Sequence, residues 1–145
     1  MRRDDEGQLL LLVLGYALIA IVLVAAVVDL SVAYLHRRAL AAAADGAALA
    51  AANQPDLAAL YSGAADRLPL SERGTLRAVD QYAEDAQLAR RFDDFEIVDV
   101  QTDGDSVTVT LAARVRLPLL NLASVHYADG YPFDAVATAR SPITQ

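Results

Sequence analysis

The stretch Leu9–Val28, LLLLVLGYALIAIVLVAAVV, carries no charged residue and lies between Arg2 and Arg3 on one side and Asp29 on the other. At about 1.5 Å of rise per residue, roughly 20 helical residues extend about 30 Å, which is the thickness of the hydrocarbon core of a bilayer. The helical pattern continues over residues 30–52 without a proline. We therefore predict one long helix that crosses a membrane and protrudes from it.

The domain organisation follows from this helix. We predict a short cytoplasmic N-terminus at 1–8, a transmembrane helix at 9–28, a helical stalk at 29–52, a connector at 53–74 and a small extracytoplasmic domain at 75–145. A cleaved signal peptide is disfavoured because its apolar core is only about 7–15 residues long. Basic residues flank the run on both sides, and the α-amino charge favours a single-pass cell-membrane topology with the N-terminus in the cytoplasm.

Composition excludes several classes of function. The chain has 145 residues, a net charge of −7 and no cysteine. An acidic balance argues against nucleic acid, because phosphates require clustered basic residues. The lack of cysteine excludes disulfides, thiolate catalysis and cysteine metal ligands. Roughly 90 residues follow the long helix, which is enough for one small domain with a modest core.

The C-terminal part is expected to be α+β. Residues 56–68 of the connector are predicted to form a short helix. The segment Thr75–Phe92 places apolar residues three and four positions apart, which predicts an amphipathic helix that covers a sheet. The predicted apolar face comprises Leu76, Val79, Tyr82, Ala83, Ala86 and Ala89.

Three strands are predicted after that helix. They cover Phe95–Thr102, Ser106–Leu117 and Tyr131–Ala139, and Asp103–Gly104 is a strong signal for a tight turn between the first two. In the second strand, Val107, Val109 and Leu111 alternate with threonines, which indicates one buried face. Residues 118–130 are predicted to form a loop with an apolar patch at its start. The expected unit is one helix packed on a sheet of about three antiparallel strands.

Asp29 at the end of the apolar run has two interpretations. A carboxylate inside a membrane span is costly and is often functional, but the cost falls towards the end of the span. Asp29 either marks the edge of the bilayer, or it forms a salt bridge to Arg37 or Arg38 of a staggered neighbouring subunit. Both interpretations remain open from the sequence.

Small residues repeat every four positions along the predicted stalk, at Ala39, Ala43, Ala47 and Ala51. Such a face lets two helices approach closely, although alanine also suits a solitary stalk because it is the best helix former. Asp45 interrupts the small residues, either as a solvated residue or as a partner across an interface. If the stripe packs between subunits, bulky replacements in it should abolish assembly and leave the domain from about residue 53 folded.

A composite motif runs along the first 52 residues. It comprises Glu6-Gly7-Gln8, the apolar run, Asp29, Tyr34, Arg37-Arg38-Ala39-Leu40 and the tail ADGAALAAA at 44–52. This motif resembles the N-terminal region of the TadE/TadG-like Flp pilus-assembly family, in which a glycine, a membrane span, an aspartate, paired basic residues and an A-D-x-A-A-L-A-A-A tail follow one another. The match is moderately specific, and the rest of the chain fits only in layout.

The resemblance implies a bacterial, single-pass protein of the cell envelope with a pilin-like layout, part of a tight-adherence pilus or a related secretion system. It implies a minor pilin-like subunit, or pseudopilin, or an assembly subunit that is non-catalytic and acts through helix packing. Its partners would be membrane lipid and other pilus or secretion-system subunits, including copies of itself. The expected helix-packing and assembly residues are Asp29, Tyr34, Arg37, Arg38, Ala43, Asp45, Ala47 and Ala51.

The resemblance also makes Gly7 and Gln8 a candidate processing site. If a prepilin peptidase cut after Gly7, Leu12 would stand where pilins typically carry a glutamate, so the chain departs from the pilin pattern there. It is also too short for the metal-binding von Willebrand-type domain of some family members. The alternative function is a membrane-anchored extracytoplasmic binding module that does not enter a filament.

No motif for catalysis or for a cofactor is found in the sequence. His36 and His126 have no partner at a metal-ligand spacing. The acidic residues between Asp93 and Asp105 lack the D-x-D-x-D-G pattern of a calcium loop, and strand alternation separates them, so we interpret them as a solvated edge. Phosphate loops and nucleophile elbows are absent from the sequence. We predict a protein that is not an enzyme and uses no cofactor or metal.

Overall fold

The computed structural model describes residues 3–53, 72–119 and 130–141. Helix α1 spans Arg3–Ala52, α2 spans Glu72–Asp85 and α3 spans Leu88–Arg91, and the strands are β1 at Asp93–Thr102, β2 at Ser106–Val115 and β3 at Tyr131–Arg140. The predicted α+β class is confirmed, with a long N-terminal apolar helix and a helix packed on a three-stranded antiparallel sheet. The short helix predicted at 56–68 and most of the loop at 118–130 lie outside the described residues.

The part of α1 from Leu9 to Val28 is apolar on every side and is largely exposed. Between Leu9 and Val28 the exposed fractions of the large apolar side chains run from 41% to 71%. A helix with apolar residues all round its surface requires a non-aqueous environment. Within the described residues, α1 is the one helix long and apolar enough to cross a membrane. The structure therefore supports anchoring by a single N-terminal helix.

The second half of α1 is the central helix of the hydrophobic core. Its inward face is buried and consists of Leu40, Ala43, Ala44, Ala47, Ala48, Ala51 and Ala52. Because alanine has a short side chain, the helix backbone can lie close to the strands and to α2. The folded α+β unit thus includes the C-terminal half of α1, and the boundary predicted between residues 52 and 53 separates two segments that share one core.

The sheet has the order β1-β2-β3, and both strand pairs are antiparallel. In β2, Val107, Val109 and Leu111 are fully buried towards α1, so the alternation predicted from the sequence is confirmed. The β2–β3 register is regular from Ser106↔Arg140 to Val115↔Tyr131. The β1–β2 register shifts twice, between Asp93 and Glu96 and between Ile97 and Asp99. The sheet therefore turns its apolar face to α1 and α2.

The predicted turn between β1 and β2 is confirmed. Gly104 has a positive φ of 92°, and the side chain of Asp103 accepts hydrogen bonds from the backbone N–H of Ser106, the hydroxyl of Ser106 and the backbone N–H of Asp105. These hydrogen bonds, led by that from the Ser106 N–H, hold the pKa of Asp103 below its ordinary value.

The single helix predicted over Thr75–Phe92 is corrected, because Gln87 adopts a left-handed conformation with φ 52° and ψ 41° between α2 and α3. At about 100° per residue, Leu88 would otherwise lie about 180° around the helix from Val79. The break turns Leu88 into the same core as Val79. The predicted apolar face is also corrected, since Leu76 is exposed and Thr75 and Ala78 are buried instead.

Gly130 is expected to be more sensitive to replacement than Gly104. Both have positive φ, but a Cβ at Gly130 would lie 2.9 Å from the carbonyl oxygen of Val115, whereas no atom lies within 4 Å of one at Gly104. We expect Gly130→Ala to lower the free energy of unfolding by about 2 kcal/mol, and the control Gly104→Ala by about 1 kcal/mol. Thermal unfolding in detergent, followed by circular dichroism, measures both. Equal losses of unfolding free energy in the two variants would show that the structure beside Val115 shifts to accommodate the added Cβ.

Candidate functional site

The eight predicted assembly residues divide between two faces of α1. Asp29, Ala43, Ala47 and Ala51 are buried against the chain's own domain, and Tyr34, Arg37, Arg38 and Asp45 are exposed. The alanine stripe therefore packs within its own chain. Any contact between subunits has to use the exposed residues.

Gly46, which directly precedes Ala47 of the stripe, allows a close contact between α1 and α2. A Cβ built on Gly46 would lie 2.5 Å from Cζ of Tyr82, and Tyr82 packs against the hydrophobic core. The missing side chain of Gly46 makes room for the tyrosine ring. Gly46 thus serves the fold of the α+β unit, in the position where the sequence shows the "x" of the A-D-x-A-A-L-A-A-A tail.

Asp29 connects the membrane-proximal helix to the segment that follows β2. Its side chain is 4% exposed, and its Oδ1 accepts a hydrogen bond of 3.1 Å from the backbone N–H of Leu119. A backbone N–H near the apolar layer requires an acceptor within the protein, because water is scarce there. The structure therefore gives Asp29 a partner that neither interpretation of the sequence contained.

Leu119 brings the end of this segment alongside the apolar half of α1. An apolar hollow of about 350 Å³ is lined by Ala20, Ile21, Val24, Ala25 and Leu119. The four α1 residues belong to the predicted membrane span. Asp29 therefore stabilises a backbone that approaches the level of the bilayer.

A cleft of about 400 Å³ opens between α1 and the first residues of β3. Residues that line it include Leu30, Tyr34, Arg37, Tyr131, Pro132 and Asp134. With Phe133, which also lines the cleft, three aromatic rings, one cation and one carboxylate thus converge just beyond the end of the apolar run. We refer to this space as the juxtamembrane cleft.

A second exposed surface follows α1 on the side away from its core. Five residues spaced alternately by three and four positions form it, and we call them the outward face: Leu35, Arg38, Ala42, Asp45 and Leu49. This spacing is that of the contact seam of a coiled coil. Leu35 and Leu49 are 61% and 57% exposed. Within the described residues, Arg38 and Asp45 have no ion-pair partner.

The described residues offer little for chemistry. They contain no group of three or more His, Asp or Glu side chains that could hold a metal ion. His36 is half-buried on α1, and His126 lies outside the described ranges. In the predicted acidic edge, Asp93 and Asp94 form ion pairs with Arg116 and Arg114 at 3.3 Å and 3.5 Å.

Gly7 and Gln8 lie near the N-terminal end of α1, and both are exposed. No atom lies within 4 Å of a Cβ built on Gly7. The peptide bond after Gly7 is therefore not covered by described parts of the chain. Its processing stays a prediction.

Sequence reasoning missed the parts of the site that come from outside α1. Leu119, Tyr131 and Asp134 follow α1 by more than 60 residues, and only the sheet brings them to it. One signal in α1 pointed to the role of Asp29. Asp29 and Ala47 are eighteen residues apart, which is five helical turns, so Asp29 lies on the face of the buried alanines.

Comparison with known proteins identifies the N-terminal part of the chain. Residues 7–54 match the family described as "Putative Flp pilus-assembly TadE/G-like". The resemblance predicted from the composite motif is thereby confirmed for this region, and residues 55–145 lie outside the match. Neither the curated proteins nor the solved structures give a match to the chain.

Proposed function

We propose that this chain is a minor pilin-like or assembly subunit of a tight-adherence pilus or a related secretion system, and that it acts without catalysis through helix packing. The family match supports a role in pilus assembly, and the observation that carries the finer proposal is where that match falls. It covers nearly all of α1, which is both the apolar anchor and the core helix of the α+β unit. The matched segment thus joins a membrane to a folded domain.

The proposed topology places the N-terminus in the cytoplasm and the α+β unit outside it. A single apolar helix supports anchoring in one pass. Helix α1 continues without a break from the membrane span into the core of the α+β unit. A contact made by the folded unit is therefore linked to the span through one continuous helix. A subunit that transmits contacts between the membrane and an assembly would use this property.

The proposed contact with neighbouring subunits lies on the outward face. Ala43, Ala47 and Ala51 are buried in the core of their own chain, which supports placing the contact on exposed residues instead. The outward face offers two exposed leucines at its ends, a small residue at its centre and two opposite charges between them. Arg38 and Asp45 are seven residues apart, about 10.5 Å along the helix. Charges at that spacing fix the register of a partner helix more than they add affinity.

Charge reversal on the outward face tests this function. We expect Arg38→Asp and Asp45→Arg each to reduce the pili recovered by shearing from cells at least about fivefold, because a like charge opposite a partner costs roughly 1 kcal/mol or more. If copies of this chain contact one another, the double variant restores assembly. If the partner is a different subunit, the double variant stays defective.

Arg77→Asp and Asp80→Arg serve as controls, since they reverse the same charges on the exposed side of α2. Membrane content of each variant is compared by immunoblot, so that loss of protein is separated from loss of assembly. Full piliation with both single variants of the outward face would contradict the proposed contact.

A membrane-anchored binding module is the second candidate. The juxtamembrane cleft favours it, because a concave site with a few convergent polar groups is typical of ligand binding. The two candidates differ in stoichiometry, since an incorporated subunit co-purifies with sheared pili. A binding module stays with the membrane. Intact-mass measurement of the membrane protein adds a second distinction, because a start at Gln8 indicates prepilin-type processing.

A further inference from the structure

We propose that the juxtamembrane cleft binds the headgroup of a phospholipid that carries a primary amine, with Arg37 at the phosphate and Asp134 at the ammonium group. The inference rests on the membrane anchoring that is part of the proposed function. It does not depend on assembly into a pilus.

The inner part of the cleft lies at the depth of the lipid headgroups. Leu30 follows the end of the apolar run at Val28 by two residues and Arg37 follows it by nine, so the cleft begins about 3 Å beyond the run and reaches about 13 Å beyond it. The headgroup layer occupies about 5–7 Å on each side of the hydrocarbon core. Side chains of a helix point back towards its N-terminus, which directs Tyr34 and Arg37 towards this layer.

The chemistry of the cleft matches a zwitterion. A guanidinium group binds a phosphate through paired, charge-assisted hydrogen bonds, and a carboxylate accepts hydrogen bonds from a primary ammonium. Arg37 and Asp134 are both exposed, and neither has an ion-pair partner in the part of the chain that the structure describes. Each is therefore free to take a ligand group of opposite charge.

The other residues that line the cleft match the parts of a phospholipid next to its headgroup charges. Leu30 continues the apolar surface of the span into the cleft, on the side of the glycerol and acyl chains. Tyr34 and Tyr131 supply aromatic rings with polar tips, the side chains that are enriched at membrane interfaces. An aromatic wall also attracts an ammonium group over its face.

The β3 side of the cleft is held in place before a ligand binds. Gly130 is buried against Val115, and Pro132 limits the backbone at the second residue of the strand. Pro132 and Asp134 both lie in the regular antiparallel register with β2, and Gly130 immediately precedes the strand. A wall that is ordered in advance lowers the entropy lost on binding.

Native mass spectrometry of the full chain tests the proposal. The protein is measured in detergent micelles that contain phosphatidylethanolamine, phosphatidylcholine or phosphatidylglycerol at equal concentration. We expect the native chain to retain one phosphatidylethanolamine in preference to either other lipid. Arg37→Gln should lower retention of phosphatidylethanolamine and phosphatidylcholine alike by about tenfold, because both share the phosphate.

Asp134→Asn should instead remove the preference for the primary amine over the quaternary one. Arg38→Gln is the matched control, since Arg38 is also exposed, adjacent in sequence and outside the cleft, and it should leave retention unchanged. Equal retention of the three lipids by the native chain, or equal losses with the Arg37 and Arg38 variants, would overturn the headgroup site.

The lipid-binding experiment and the piliation experiment distinguish failure of the headgroup site from failure of the proposed function. Extraction of the protein from membranes by alkaline carbonate would contradict the anchoring on which both rest. Selective lipid retention together with normal piliation of the Arg38→Asp and Asp45→Arg variants would support the headgroup site and contradict the subunit contact.

Discussion

Replacing Ala47 with leucine is expected to lower the free energy of unfolding of the α+β unit by about 3 kcal/mol, because a fully packed core has no room for the added carbons. Ala47 is 0% exposed and lies in the face of α1 that packs against the sheet and α2. Native domains are stable by only about 5–15 kcal/mol, so this loss is a large fraction of the total.

Thermal unfolding of the full chain in detergent, followed by the circular dichroism of the folded unit, measures the effect. For a unit of about 100 residues, a loss of 3 kcal/mol corresponds to a fall in Tm of about 15 °C. Ala42→Leu is the matched control. The same substitution lies five residues away, about 140° around the helix, on the outward face. It should leave the Tm unchanged.

The Ala42 and Ala47 variants also distinguish an alanine on the outward face of α1 from an alanine on its buried face. The Ala42 variant should stay folded and still impair piliation, because leucine changes the centre of the outward face. The Ala47 variant should unfold at a lower temperature, and its piliation should fall with the amount of folded protein. An unchanged Tm with Ala47→Leu would mean that the alanine stripe is not packed against the domain, and the interpretation as a stripe between subunits would then be favoured.

The alternating and periodic segments of the sequence were sufficient to predict the fold class. Twenty apolar residues in a row predict the helix, and Val107, Val109 and Leu111 predict a strand with one buried face. These patterns are local, since each needs only the period of its own element. The break at Gln87 was not predictable in this way. It places Leu88 in a core that other elements form, so it depends on more than the period of its own helix.

The candidate site also combines residues that local patterns predict with residues whose position depends on long-range packing. The exposed charges Arg37, Arg38 and Asp45 were identified from the motif, but the motif does not say what each faces. The alanine stripe was ambiguous because a small residue suits packing against another subunit and packing against the same chain equally well. Only the position of the sheet decides between them. Asp134 enters the cleft because of the β2–β3 register, which is a long-range feature.

Removal of the side-chain acceptor at Asp29 is expected to release the segment after β2 from the helix. Asp29→Leu keeps a similar shape but leaves the N–H of Leu119 without its acceptor. A buried donor without an acceptor costs about 1–3 kcal/mol. The Leu119 hydrogen bond is partly buried, and we expect a cost of about 2–3 kcal/mol because water is scarce beside the apolar run. Asp29→Asn retains an acceptor oxygen and should preserve most of the stability.

Hydrogen exchange of the backbone amides, measured on the full chain in detergent, reports this change at the Leu119 amide. A loss of about 2–3 kcal/mol of local stability corresponds to exchange that is faster by roughly 30- to 150-fold. Asp45→Leu is the control, because Asp45 lies on the same helix and is exposed. It should leave exchange at Leu119 unchanged.

The same measurement decides between the interpretations of Asp29 that the sequence left open. If Asp29 only marks the bilayer edge, neither variant alters exchange at Leu119. If it pairs with an arginine of a neighbouring subunit, both variants impair assembly, since asparagine lacks the charge, while exchange in the isolated chain stays constant. Fast exchange at Leu119 with leucine and slow exchange with asparagine is the result that the intramolecular hydrogen bond predicts. Asp29 would then hold the segment after β2 against the helix that spans the membrane.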